Sequence, residues 1–356
     1  MPSATALCPL GQLIMRHLPE WQDQPLNLLA AQGHFQLSAL GLGSSFSRPV
    51  QVWSADWRLA QQAQENGLAS FFVSQHSPDK LPGRSLLFWP KSKLEGYWWL
   101  RQLADYHPEG FYLIGENQGG VKAAASQLKK AGLAVAKLDS ARRCALYYVT
   151  GDQLSAALYN DIDLGTTRLE GPKGLQVCST PGVFSHGRID EGSQLLISAL
   201  DQNSQLLPQQ GRCLDLGCGN GLLGVWMLRQ QPALELLASD VNGLALKATQ
   251  CSLQANGLDG QTQPSDIFDG LDEVCPPESL DLIITNPPFH TGKATDYELS
   301  QRLIREAPGF LKPGGQLWLV ANRFLPYPDL LDEAFGGFNR QAETGKFTVY
   351  QAVRAE

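Results

Sequence analysis

Arg212 to Leu228 reads RCLDLGCGNGLLGVWML, and three kinds of local order follow one another within it. Arg212 to Leu216 is an apolar strand, Gly217-Cys218-Gly219-Asn220-Gly221 breaks it, and Leu222, Leu223, Val225, Trp226 and Leu228 carry helical spacing. A strand that turns over glycines into a helix brings bare backbone close to a ligand. The G-x-G-x-G loop alone also suits a dinucleotide. Asp215, two residues before Gly217, argues otherwise: a carboxylate repels a pyrophosphate and attracts the amine and sulfonium of S-adenosylmethionine (SAM). Working outward, the strand Leu234 to Ser239 ends at Asp240, where an acid accepts ribose hydroxyls. A short strand near Gln263 finishes at Asp266 and Ile267, an acceptor for an adenine amine and an apolar side chain for its ring. Any one of these aspartates alone caps a turn as readily. Three at successive strand ends make Asp215, Gly217, Gly219, Gly221, Asp240, Asp266 and Ile267 the expected SAM contacts.

The next strand runs through LDLIITNPPFH, Leu280 to His290. Two prolines end it, so the chain leaves the sheet with Asn286 at a carboxyl edge, where open α/β sheets bind ligands. An asparagine amide, a stiff Pro-Pro carbonyl and an aromatic ring form a flat slot with acceptors on one side and a stacking face on the other. The slot suits a planar group bearing an NH2. Asn-Pro-Pro-aromatic resembles the signature of SAM-dependent methyltransferases acting on exocyclic or amide nitrogens. A helix near Tyr297 to Ala307, the strand Gln316 to Ala321, and a hairpin of Phe338 to Glu343 with Phe347 to Val353 complete the second half.

Upstream, Thr180 to Ser193 is a polar, glycine-containing stretch, and 161–180 is expected to be a linker. Residues 1–160 read as a further α/β domain, with strands at Gln51 to Trp53, Leu68 to Val73, Ser85 to Trp89, Phe111 to Ile114 and Ala145 to Val149. No glycine loop with a preceding acid follows its early strands. Leu86 to Lys91, LLFWPK, looks like a worn copy of Ile283 to Pro288, IITNPP, which suggests internal duplication.

At 356 residues, two domains are expected, and 43% hydrophobic with 18% charged residues is a globular composition. No signal peptide and no apolar run long enough to span a bilayer is evident, so a cytoplasmic protein is expected. Seven scattered cysteines without a C-x-x-C pair read as reduced thiols, and no zinc spacing points to a metal. The net charge of −7 argues mildly against nucleic acid, but it is unevenly spread. Residues 1–180 hold 16 Lys and Arg against 14 Asp and Glu, and 181–356 hold 12 against 21. If RNA binds, the first half should supply much of the grip; Arg142 and Arg143 are candidate phosphate contacts, with solvated surface charge the commoner fate of such a pair.

Pro181-Gly182-Val183-Phe184, Asp190, Gly192-Ser193-Gln194, DLGCGNG, Asn286 to His290, and Val320 to Tyr327 together resemble the guanine-N2 methyltransferases of ribosomal RNA. The likeness covers 181–356 closely and continues upstream through Trp89-Pro90-Lys91 and Asp139 to Cys144. It implies two tandem Rossmann-like methyltransferase domains. The first is degenerate and orients RNA. The second, 181–356, is a seven-stranded SAM-binding fold with an antiparallel C-terminal hairpin. It further implies methyl transfer from SAM to guanine N2 of 16S rRNA, within the 30S particle, by a monomer. Asn286, Pro287 and Phe289 would be catalytic, with Pro288 and His290 meeting the substrate. His186 and Arg188 depart from the usual family pattern. A 23S rRNA enzyme, a methyltransferase for protein glutamine or adenine N6, and an RNA assembly factor without turnover stay open on the residues alone.

Overall fold

The computed structural model describes residues 7–33, 35–42, 48–74, 81–106, 110–151, 166–287 and 294–356. The chain divides into two compact units, residues 1–165 and 166–356. In the first, β1 (Leu26–Leu29), β2 (Val50–Ser54), β3 (Ala69–Phe72), β4 (Arg84–Phe88), β5 (Phe111–Glu116), β6 (Ala134–Ala141) and β7 (Cys144–Thr150) form one sheet in the order β3-β2-β1-β4-β5-β7-β6. The helices α1 (Pro9–Trp21), α2 (Trp57–Glu65), α3 (Lys93–Tyr106) and α4 (Val121–Lys130) lie between or before these strands in sequence. Leu13, Ile14, Leu18 and Trp21 of α1 are buried in the same core as Leu26, Leu28, Leu86 and Leu146.

The second unit opens with a small antiparallel pair, β8 (Thr167–Glu170) and β9 (Gln176–Ser179). Then come α5 (Glu191–Gln202), β10 (Gly211–Leu216), α6 (Leu222–Gln230), β11 (Leu234–Asp240), α7 (Gly243–Ala255), β12 (Gln261–Pro264), β13 (Leu280–Thr285), α8 (Ala294–Phe310), β14 (Leu311–Asn322), α9 (Tyr327–Phe335), β15 (Asn339–Glu343) and β16 (Phe347–Val353). The sheet order is β12-β11-β10-β13-β14-β16-β15, the order of the first unit repeated strand for strand. β12 to β14 are parallel and the closing hairpin is antiparallel, as the sequence implies. Both faces are covered, so the central strands are apolar on both sides. Leu282, Ile284, Trp318 and Val320 meet Leu196, Leu200 and Trp226 of α5 and α6. Leu214, Ile283, Leu317 and Leu319 meet Ile304, Ala307 and Leu331 of α8 and α9.

Two sequence expectations need correction. Much of the segment read as a linker is structured: Gly171 N–H donates to Leu175 O at 2.7 Å and closes a hairpin whose Leu175, Val177 and Cys178 are buried. Ser252 of α7 and its C-cap Asn256 bond the β9 backbone at Cys178 and Gln176, which the glycines and Pro172 gave no means of foreseeing. Nor are all the cysteines free. Cys178 and Cys251 form a disulfide, brought together across 73 residues by the packing of β9 on α7. A proximity created by tertiary packing leaves no spacing signature in sequence.

The two units repeat one strand order, but the motif match between them is out of register. In each sheet the first-strand residue before the turn, Leu29 or Leu216, pairs with Leu87 or Thr285. Phe88 is thus the counterpart of Asn286, and the match of LLFWPK to IITNPP is shifted by one residue. Among the described residues, no helix is long and apolar enough to cross a membrane, and no group of three or more His, Cys, Asp or Glu side chains is arranged to hold a metal ion.

Candidate active site

β10 is the centre of the carboxyl edge. Gly217 N–H and Cys218 N–H both donate to Ser239 O, at 2.8 and 2.9 Å, and Thr285 Oγ donates to Leu216 O at 2.7 Å. These bonds tie the ends of β11 and β13 to the glycine loop between them. Gly217 and Gly219 have φ of 71° and 57°, and a Cβ on either would meet nothing within 4 Å. The surface above them is open for a ligand. Gly221 is different: its φ is 78°, and a Cβ would lie 2.9 Å from Thr249 of α7, so packing between α6 and α7 demands that glycine.

The three acids take distinct places. Asp240 is the brace of the loop, its Oδ2 accepting from Gly219 N–H at 3.0 Å and its Oδ1 from Asn242 N–H at 2.8 Å. Asp215 is fully buried; its Oδ2 accepts from Gly224 N–H at 2.8 Å, while its Oδ1 has no hydrogen-bond partner. Burial pushes its carboxyl up to about 7, with Gly224 N–H pulling it down and the neighbouring Asp240 charge raising it further. An unsatisfied buried acid beside an open glycine loop fits a cationic cofactor such as SAM. Asp266 lies 3.9 Å from the Arg302 guanidinium, which also pairs with Asp269 and Glu306. Ile267 holds φ of 59°, a strained conformation for a β-branched residue.

Asn286 follows β13 directly, on the opposite side of β10 from Asp240. Two strand spacings separate these ends, roughly 10 Å. Its side chain is firmly held. Asn286 Nδ2 donates to Asp190 Oδ2 at 2.8 Å and to Ser193 Oγ at 2.8 Å. Asp190 is the N-cap of α5, and the same Oδ2 accepts from Ser193 N–H at 2.9 Å. The carboxylate only accepts, so it fixes which end of the amide is nitrogen. Both amide hydrogens are taken, and the atom left to meet a further partner is Oδ1. Pro287 is buried, while Pro288, Phe289 and His290 lie outside the described residues.

Sequence reasoning missed Asp190, Ser193 and Asn242 as parts of this site. Asp190 three residues before Ser193 carries a cap signal, but its long-range partner does not show in the cap. The loop that delivers it is built of turns: Val183 N–H to Thr180 O, His186 N–H to Val183 O, and Arg188 N–H to Ser185 O. Asn242 Nδ2 donates to Gly182 O at 3.1 Å, and Ser179 Oγ lies 2.8 Å from His186 Nδ1.

The corresponding edge of the first unit has lost this chemistry. Ala30 N–H bonds Trp53 O as Gly217 N–H bonds Ser239 O. That register puts Leu28 where the second unit has Asp215, and Ser54 where it has Asp240. Arg58 forks onto Asp56 at 2.7 and 3.0 Å, and a Cβ on Gly33 would lie 2.6 Å from the Arg58 side chain. An arginine covers the turn there. Arg142 and Arg143 sit in this unit too, exposed in the two-residue turn between β6 and β7.

The match to known families follows the same division. The methyltransferase small domain covers residues 174–351, and its N-terminal companion covers 11–161. The chain is therefore a methyltransferase of the small-domain class. Among curated proteins it is 42% identical to ribosomal RNA small subunit methyltransferase C of Chromohalobacter salexigens, over 85% of this chain and 88% of that one. It is 41% identical to the Pseudomonas aeruginosa protein of that name, over 86% and 90%, and 35% identical to that of Photorhabdus laumondii, over 98% and 99%. The chain belongs to the ribosomal RNA small subunit methyltransferase C family. Its fold is shared with the solved 16S rRNA N2 methyltransferase of T. thermophilus in complex with AdoMet and guanosine, with a TM-score of 0.78, 22% identity, and 98% and 92% of the two chains covered.

Asp215 gives the site a pH signature. Without a cofactor its raised pKa favours the fold below the ordinary value of 3.8, an advantage lost as pH rises through about 7. A cationic ligand that pairs with this carboxylate displaces its proton, and SAM affinity would then rise with pH between about 5.5 and 7, by up to about tenfold per unit, and level off. Calorimetric titrations across that range should show proton release in wild type and a flat profile in Asp215→Asn. A flat wild-type profile would mean that SAM binding leaves the protonation of Asp215 unchanged and that the residue carries no such linkage.

Proposed function

We propose that the chain transfers a methyl group from SAM to the exocyclic N2 of a guanine in 16S rRNA, acting in the cytoplasm as a monomer on the 30S particle. The observation that carries this reading is the Asn286 amide, whose NH2 is spent on Asp190 and Ser193 so that a carbonyl oxygen is presented. An acceptor at that place suits a substrate that brings N–H. Guanine N2 is a weak nucleophile because its lone pair is delocalised into the ring. Asn286 Oδ1 and the Pro287 carbonyl would each accept one of its hydrogens and let the nitrogen pyramidalise. Phe289 would stack on the base and, with Pro288, fix it at reacting distance.

Bound SAM supplies the electrophilic methyl group. Asp215 would face its amine, Asp240 its ribose, and Asp266 with Ile267 its adenine, over the bare backbone of Gly217 and Gly219. The methylated nitrogen becomes acidic enough to release its proton to water, so no strong base is needed, and His290 is an optional acceptor. A paired guanine would have to flip out of its helix.

Residues 1–160 would orient the RNA and bind no SAM, a reading supported by Leu28 and Ser54 at the acid positions and by Arg58 over the turn. Arg142 and Arg143 support the RNA role through their backbone. Both have left-handed φ, 44° and 70°, in a turn that Asn-Gly would form with less strain. Holding two bulky residues there costs about 1–3 kcal/mol each, and such strain collects where side chains have a task.

Asn286→Ala should slow single-turnover methyl transfer by about 10²- to 10³-fold while SAM binds almost normally. Asn286→Asp should fall as far at neutral pH, because it sets a second carboxylate against Asp190, and should regain activity as pH drops and the pair shares a proton. Loss of SAM binding in step with activity would make Asn286 a folding residue instead. Reversing the charge of Arg142 and Arg143 should weaken binding to 16S rRNA and reduce the slope of log affinity against log salt by about one per lost phosphate contact. An unchanged slope would leave the two arginines as solvated surface.

A further inference from the structure

We propose that Asp190, assisted by Ser193, is the positioning residue of the reaction: it fixes the orientation of the Asn286 amide and strengthens the carbonyl oxygen that meets the target amine. The inference rests on the reading of Asn286 as that acceptor. An asparagine side chain at a strand end can rotate about χ2 and offer either its NH2 or its oxygen, and only the second accepts from an incoming N–H. Asp190 Oδ2 at 2.8 Å removes the choice, since two acceptors facing each other would repel. Ser193 Oγ, buried and also 2.8 Å away, takes the second hydrogen.

The charge does further work. Hydrogen bonds in a chain polarise one another, and an amide that donates to a carboxylate gains electron density at its carbonyl oxygen. Asn286 Oδ1 thereby becomes a better acceptor for an amine that must give up its planarity. The geometry is reinforced from α5: the Oδ2 that holds Asn286 is also held by Ser193 N–H at 2.9 Å, so the helix N-terminus sets the carboxylate in place. Gly192 keeps the space clear, since a Cβ there would lie 3.1 Å from Asp190 Oδ2 and 3.5 Å from Asn286 Oδ1. The run Asp190-Glu191-Gly192-Ser193 is thus a mount for a residue 93 to 96 positions away.

An ordinary helix cap makes a different prediction, because Asn and Ser cap helices about as well as Asp. The test uses the full chain, with SAM and unmodified 16S rRNA, naked and as assembled 30S subunits. Asp190→Asn keeps an acceptor but loses the charge and should slow single-turnover transfer about tenfold. Asp190→Ser keeps the cap but does not reach Asn286 and should slow it about a hundredfold. SAM affinity and the unfolding midpoint should hold steady in both. On an Asn286→Ala background, Asp190→Ser should produce no further loss, since it acts through that amide. Wild-type rates in Asp190→Ser, a fall in rate that tracks lost stability, or a full additional loss on the Asn286→Ala background would each overturn the proposal. A wild-type rate in Asn286→Ala would instead remove the reading of Asn286 beneath it, an outcome visible without any Asp190 variant.

Discussion

The hydrogen bonds that close the end of β10 set everything else at the carboxyl edge. Gly217 and Cys218 N–H share Ser239 O, and Thr285 Oγ reaches Leu216 O, so the strands carrying Asp240 and Asn286 end level with each other on either side of one glycine turn. Parallel pairing makes this possible, because it brings successive strand ends to the same edge. Asp240 and Asn286 thus reach the same carboxyl edge from the two strands on either side of β10. A register slip of one residue on β13 would turn Asn286 toward the opposite face and end the site.

The two units show how far a fold can be kept while its chemistry is lost. Their sheets share one strand order, and the turn after the first strand is left-handed in both, at Ala30 with φ of 61° and at Gly217 with 71°. At the carboxyl edge the side chains differ. Leu28 and Ser54 replace two acids, and an arginine fork stands over the turn. Strand order is held by many apolar contacts and tolerates such changes. A ligand site depends on few groups and does not.

How much of this was legible in the sequence depends on the range of the interaction concerned. The strand, glycine turn and helix of 212–228, Asp240 at the end of β11 and the strand end before Asn286 are local signals that the structure places as read, whereas Asp215 lies buried one residue inside β10 and Asp266 two residues beyond β12. The closing hairpin was legible for the same reason, with Phe347–Val353 found at its expected bounds. By contrast, β8 and β9 are four residues each and gain their stability from α7 rather than from their own pattern. Helix α1 contains Pro19 and begins on a proline, which masked its apolar spacing. Cys178 with Cys251, and Asp190 with Asn286, are pairs made by tertiary packing, and single-sequence periodicity carries no trace of either.

In the proposed reading, the Asn286 carbonyl, held beside a site for a cationic cofactor, selects the exocyclic amine of guanine. The most direct measurement incubates the full chain with SAM and unmodified 30S subunits, digests the RNA and protein, and locates the added methyl group by mass spectrometry. One N2-methylguanosine in 16S rRNA is the expected product. A methyl group on adenine N6, on a protein glutamine or on 23S rRNA in preference to 16S, or bound SAM with no transfer to any of these, would contradict that reading.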